Sequence, residues 1–148
     1  MNVEYINPFL ISLQHVISTL FGVQPKLGKV YLKDSTFQDY TVNIQVNGQI
    51  NGSFALVLND SMAKNLASHM IGQKVSEMND ISVSAIGELG NMIMGNTSSL
   101  YAQKGLHTNI STPLVIKGET DMFKDSKVIC VPVTLSDFGN FNAAVSIS

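Results

Sequence analysis

The chain has 148 residues, 45% of them apolar and 14% charged, and a formal net charge of −2. That length holds one domain with a sizeable core, and that charge balance lacks the basic footprint of a nucleic-acid binder. All nine basic residues are lysines, so the forked arginine contacts that read phosphate or guanine are excluded, and phosphate chemistry must borrow positive charge from elsewhere.

Residues 5–21 have helical apolar spacing, with Pro8 in the first turn. The stretch INPFLISLQHVISTLFGV has no basic flank and is interrupted by Ser12, Gln14, His15 and Ser18, so it reads as an amphipathic core helix, with no membrane segment expected. Strands are expected at 27–34, 39–47 and 52–58, with Asn47-Gly48 and Asn51-Gly52 as turn signals. The short helix SMAKNLASHMIG is capped by Asp60 or Ser61 and stops at Gly72. The longest helix spans about 79–104 and ends at Gly105; strands at 112–118, 126–135 and 140–147 follow. Segments 39–47 and 126–135 are long and rich in β-formers, and an exposed edge on such strands invites pairing with another chain. The single cysteine, Cys130, lies in the apolar run VICVPV and reads as a buried strand thiol; no disulfide can form within the chain, which suits a reducing cytoplasm.

This order suggests a duplication within one domain, residues 1–148, of class α+β. The pseudo-repeats cover about 1–58 and 79–148, joined by a linking helix at about 60–71. Each contributes one helix and three strands, and the two share an antiparallel sheet with helices packed on one face. The segments NGSFALVL (51–58) and GNFNAAVSI (139–147) resemble each other. Laying FLISLQHVI beside AIGELGNMI puts Ser12 and His15 in the places of Glu88 and Asn91.

The segment SAIGELGNMIMGNTSS, 84–99, has helical periodicity yet contains Gly87, Gly90 and Gly95. Each glycine inside a helix gives up ~1 kcal/mol relative to alanine. At 100° per residue Ile86, Leu89, Ile93 and Leu100 share one side, while Ser84, Glu88, Asn91, Gly95, Ser98 and Ala102 share the other. Glu88 and Asn91, three apart, are neighbours on a polar face otherwise trimmed to small residues. A solvated polar face, or glycines that admit a neighbouring element inside the fold, accounts for the same spacing. An external partner that must come close also accounts for it, and for the small residues lying on the polar side. The pair is a poor self-contained enzyme: no second acid, metal-ligand cluster, nucleophile–base set or nucleotide-binding glycine loop accompanies it, and His15, His69 and His107 share no ligand spacing. An amide can still aim an attacking water at a phosphoryl group that another molecule supplies.

The residues Ser84, Glu88, Asn91 and Pro113 resemble the motif of the CheC/CheX/FliY chemotaxis phosphatases. That motif is Asp or Ser, three residues, Glu, two residues, Asn, a spacer and Pro. The spacer here, twenty-one residues, is one shorter than the family pattern. The order of helices and strands is similar over nearly the whole chain, and the single motif copy resembles the CheX branch. The resemblance implies a phosphatase acting in trans on the aspartyl phosphate of a CheY-like response regulator. Asn91 would orient the hydrolytic water, and Glu88 would anchor the partner through an active-site lysine. Ser84, Gly87 and Gly95 would make room for the partner, and Pro113 would be a structural support. The protein would need no cofactor of its own, since the Mg²⁺ belongs to the regulator. A cytoplasmic homodimer is implied. A non-catalytic interaction domain, like the related middle domain of FliM, remains the alternative. A free-standing small-molecule hydrolase lacks its metal or nucleophile.

Overall fold

Side-chain alternation sorts each strand into a face that meets the helices and a face that does not. The computed structural model describes residues 3–33, 39–120 and 127–148. Strands β3 (Tyr40–Gly48) and β4 (Gly52–Leu58) form a hairpin, in register from Tyr40↔Leu58 to Val46↔Gly52. Its turn needs Gly48 at φ 121°, where the Gly48 N–H donates to Asn51 Oδ1 and Asn51 Nδ2 donates back to the Gly48 carbonyl. Strands β7 (Val128–Leu135) and β8 (Gly139–Ile147) form the corresponding hairpin, and β4 and β8 lie side by side at the sheet centre.

The edges are short. Strands β1 (Lys26–Leu27) and β2 (Tyr31–Lys33) both pair with β7, while β5 (Thr108–Ile110) and β6 (Leu114–Lys117) both pair with β3. Every pairing is antiparallel, and the order is β1-β7-β8-β4-β3-β5 with β2 and β6 beside β7 and β3. The first strands of each half therefore pair across the sheet with the other half.

Several expectations change here. The strand expected at 27–34 is broken into β1 and β2, and residue 34 lies outside the described residues. Register slips by one residue between them, from Lys26↔Thr134 to Tyr31↔Cys130, which is a bulge. The same slip separates β5 from β6, from Val46↔Ile110 to Asn43↔Leu114. Strand 112–118 is correspondingly confined to 114–117, and β5 is additional. The strand expected from 126 is described from Val128. Strands β3 and β7 are flanked on both sides, so the exposed edges belong to the short strands and not to 39–47 or 126–135.

Three helices cover one face: α1 (Val3–Phe21), α2 (Asp60–Ile71) and α3 (Asp80–Gln103). Val42, Ile44, Phe54, Leu56, Val131 and Val145 from the sheet form one core with Phe9, Leu13, Leu66, Leu89 and Ile93 from the helices. On the opposite face Ala55, Val128, Cys130 and Ala144 make a second, smaller cluster. Helix α1 is described from Val3, so Pro8 lies beyond its first turn and removes the N–H that would bond the Glu4 carbonyl. The cap of α2 is Asn59, whose side chain accepts from the Met62 N–H at 2.7 Å, one residue earlier than expected; Gly72 closes the helix at φ 86°. His69, near that end, lies 2.9 Å from the Leu20 carbonyl through Nε2 and packs between the Phe21 and Phe138 rings. Among the described residues no helix is long and apolar enough to cross a membrane.

Candidate functional site

Helix α3 starts with a reciprocal cap: Asn79 Oδ1 accepts from the Ser82 N–H at 3.0 Å, and Ser82 Oγ accepts from the Asn79 N–H at 2.7 Å. Ile86, Leu89 and Ile93 are fully buried below it. Tyr101 is the aromatic anchor at the far end, fully buried, where half-buried Leu100 was expected to point inward. Its hydroxyl donates to the Tyr5 carbonyl, joining the end of α3 to the start of α1. Burial, and secondarily Tyr5, pushes the Tyr101 phenol above its ordinary value of 10.0.

Opposite the core, Ser84 and Glu88 are exposed and Asn91 is half-buried, on one strip of the helix surface. Among the described residues neither Glu88 nor Asn91 has a hydrogen-bonding or ionic partner. Two polar links flank the strip. Asn96 Nδ2 donates to Ser12 Oγ of α1 at 2.9 Å, and Ser98 and Thr108 of β5 share a hydroxyl–hydroxyl bond of 3.0 Å. Both were missed in the sequence. A serine within the apolar run FLISL was the available signal, since a polar side chain on a buried face needs a partner.

The glycines divide into two kinds. Gly87 is buried, and a Cβ built there would lie 3.5 Å from Val115 Cγ2 and 3.8 Å from Pro113 Cβ. A Cβ at Gly90 would stand 2.8 Å from Val42 Cγ1, closer than real side chains approach. Gly90 lets α3 settle on the sheet, whereas a side chain at Gly87 would make ordinary contact with Val115 and Pro113 of the fold itself rather than face open space. Only Gly95 faces open space, with nothing within 4 Å of a built Cβ. Pro113 lies in the bend between β5 and β6, beneath Gly87.

The pairing of Ser12 with Glu88 is also corrected. Ser12 is fully buried, whereas Glu88 is exposed. The burial patterns of α1 and α3 match one residue earlier, which places exposed Ile11 and half-buried Gln14 opposite Glu88 and Asn91.

The site thus holds one hydrogen-bond-accepting carboxylate and one amide that both donates and accepts. Among the described residues no three His, Cys, Asp or Glu side chains cluster to hold a metal ion. Such a pair can grip a cation and orient a water for a phosphoryl group brought from outside.

Comparison with known proteins bears on what comes from outside. Residues 40–134 match the family model described as chemotaxis phosphatase CheX. The chain is 27% identical to the CheY-P phosphatase CheX of Thermotoga maritima, covering 99% of this chain and 97% of that protein. The crystal structure of a chemotaxis protein CheX from Desulfovibrio desulfuricans superposes with a TM-score of 0.85 at 26% identity, covering 99% of this chain and 100% of that one. A CheC-like superfamily protein from Shewanella sp. PV-4 gives 0.86 at 28% identity, covering 100% and 99%.

Proposed function

We propose, from the premise that this chain belongs to the CheX family of chemotaxis phosphatases, that it hydrolyses the aspartyl phosphate of a CheY-like response regulator in trans. Support for the substrate comes from the name of the Thermotoga relative, a CheY-P phosphatase. The observation that carries the reading is the placement of exposed Glu88 and half-buried Asn91 on one helix strip, with no partner among the described residues. Asn91 accepts from and donates to the attacking water and aligns it with the phosphorus. Glu88 holds a lysine at the rim of the regulator's site. The regulator contributes the phosphoryl aspartate, the Mg²⁺ and the lysine, so a chain without arginine suffices. The reaction adds water across the acyl phosphate, giving inorganic phosphate and the free aspartate carboxylate.

Phosphate release from phosphorylated CheY-like regulator, measured beside binding to a phosphate-mimic complex, tests the assignment. Asn91→Ala is expected to lower the catalysed rate by ~10²-fold or more, since water positioning is worth several kcal/mol, with binding nearly intact. Glu88→Ala is expected to weaken binding as well as rate, because the ion pair contributes to both. Full activity in Asn91→Ala removes the water-orienting role. Binding by the wild type without phosphate release favours a docking domain instead. We place this activity in the cytoplasm and in a homodimer joined through one of the short sheet edges, leaving α3 accessible.

A further inference from the structure

A recess lies between α1 and α3, along one flank of the Glu88–Asn91 strip, and holds about 440 Å³ of open space. Val16, Thr19 and Leu20 wall it on α1, and Met92, Gly95 and Asn96 on α3. Met92 is one turn beyond Glu88 and Gly95 one turn beyond Asn91, so recess and pair occupy one helix surface. The recess is open because residue 95 has no side chain, and a Cβ there would meet nothing within 4 Å. Apolar groups remain uncovered around it: Met92 is 36% exposed, and Ile11, one turn before His15 at the rim, is 55% exposed.

We infer that this recess receives an apolar side chain from the response regulator, next to the regulator's phosphorylation site. The inference rests on the phosphatase reading above and names a second contact for the same partner. Two features commit the recess to that occupant. A specific complex covers about 800 Å² on each partner, a footprint roughly 16 Å in radius. Any protein centred on Asn91 therefore overlies Met92 and Gly95, which stand within about one helical turn of the pair. The recess lining, moreover, includes no Asp, Glu or Lys. Its Val16, Leu20 and Met92 surfaces fit an aliphatic or aromatic side chain and offer no counter-charge to a lysine or a carboxylate. Chemistry and docking are thus divided: Glu88 and Asn91 meet the polar centre of the partner's site, and the recess holds its apolar margin.

Filling the recess from either wall tests this. Gly95→Leu fills it from α3 and Thr19→Phe from α1, and a thermal melt checks that each variant folds. Leucine exceeds glycine in helix propensity, so Gly95→Leu is expected to melt no lower than the wild type. With phosphorylated CheY-like regulator as substrate, each variant is expected to raise KM about tenfold or more, the affinity carried by one buried apolar side chain. Binding to the beryllofluoride-loaded regulator falls in parallel, while kcat stays within about twofold because the water-orienting amide is untouched. An unchanged KM in either folded variant overturns the inference, and so does a loss confined to kcat, which would place the recess in the support of Asn91. Wild-type protein that releases no phosphate from the regulator is a separate failure: it removes the phosphatase reading itself, and the recess with it.

Discussion

Replacing the three helix glycines singly by alanine turns their different surroundings into different stabilities. Each replacement gains the same helix propensity, ~1 kcal/mol. At Gly95 nothing opposes the gain, because the new methyl points into open space. At Gly87 the methyl would meet Val115 and Pro113 at 3.5 and 3.8 Å, ordinary contact distances, so its variant is expected to follow Gly95→Ala. At Gly90 it would lie 2.8 Å from Val42 Cγ1 and 3.3 Å from Ile44 Cδ1. Val42 cannot step aside easily: its side chain is β-branched, and its backbone is paired to Leu56 on one side and Val115 on the other. Overpacking of this kind costs ~1–3 kcal/mol. Since the propensity term is common to both, Gly90→Ala should fall ~1–3 kcal/mol below Gly95→Ala, at roughly 2–4 °C of melting temperature per kcal/mol. Denaturant midpoints for the three variants measure it. Introducing Val42→Ala beside Gly90→Ala should recover part of the loss, as a coupling between neighbours requires. If Gly90→Ala proves as stable as Gly95→Ala, α3 does not sit as close to β3 as described, and the explanation for Gly90 fails.

Leucine at position 87 belongs to the same series: it is expected to destabilise the fold by overpacking against Pro113 and Val115, and a midpoint equal to that of Gly87→Ala would contradict the buried placement. The proposed homodimer predicts twice the monomer mass by light scattering at micromolar concentration, and a monomeric mass would refute it. Burial pushes the Cys130 thiol above its ordinary value of 9.0, outweighing the Tyr31 hydroxyl and Lys33, which pull it down. The raised value favours the fold fully below the unfolded thiol value, and that contribution is lost as pH rises through the folded one. Cys130→Ala should therefore show a shallower alkaline loss of stability than the wild type, and native Cys130 should resist thiol reagents near pH 8 until denaturant is added.

Most of the architecture was legible because the signals were local. The long helices follow from apolar periodicity, and the β3–β4 turn from two Asn-Gly pairs. The edge strands were harder, because a one-residue slip leaves no mark in alternation over segments of two to four residues. Which strands lie at the edge is likewise set by pairing between distant parts of the chain. The cap at Asn59 was missed because Asn59, Asp60 and Ser61 are all competent capping residues, and only the geometry selects among them. Glu88 and Asn91 were legible as a pair from their spacing and their small neighbours. What those neighbours do was not, since a helical wheel gives directions and not distances. Gly87 lies near the polar margin of α3, yet the bend at Pro113 brings β6 against it.

That distinction changes what the glycines contribute to the proposed chemistry. Gly90 lowers the helix onto the sheet, and the stability forgone there, ~1 kcal/mol, is exchanged for closeness between α3 and the strands. Asn79 and Ser82 cap the first turn, Asn96 and Ser98 tie the middle of α3 to α1 and β5, and Tyr101 fastens its end to Tyr5. The one strip without such ties carries Glu88 and Asn91. An amide that acts by holding a water gains its effect from position, because a displacement on the order of 1 Å can cost ~10²-fold in rate. A helix gripped on its buried side and both flanks supplies that position before the partner arrives. In the proposed mechanism the partner then brings the phosphoryl group, the metal ion and the lysine to a site already in position.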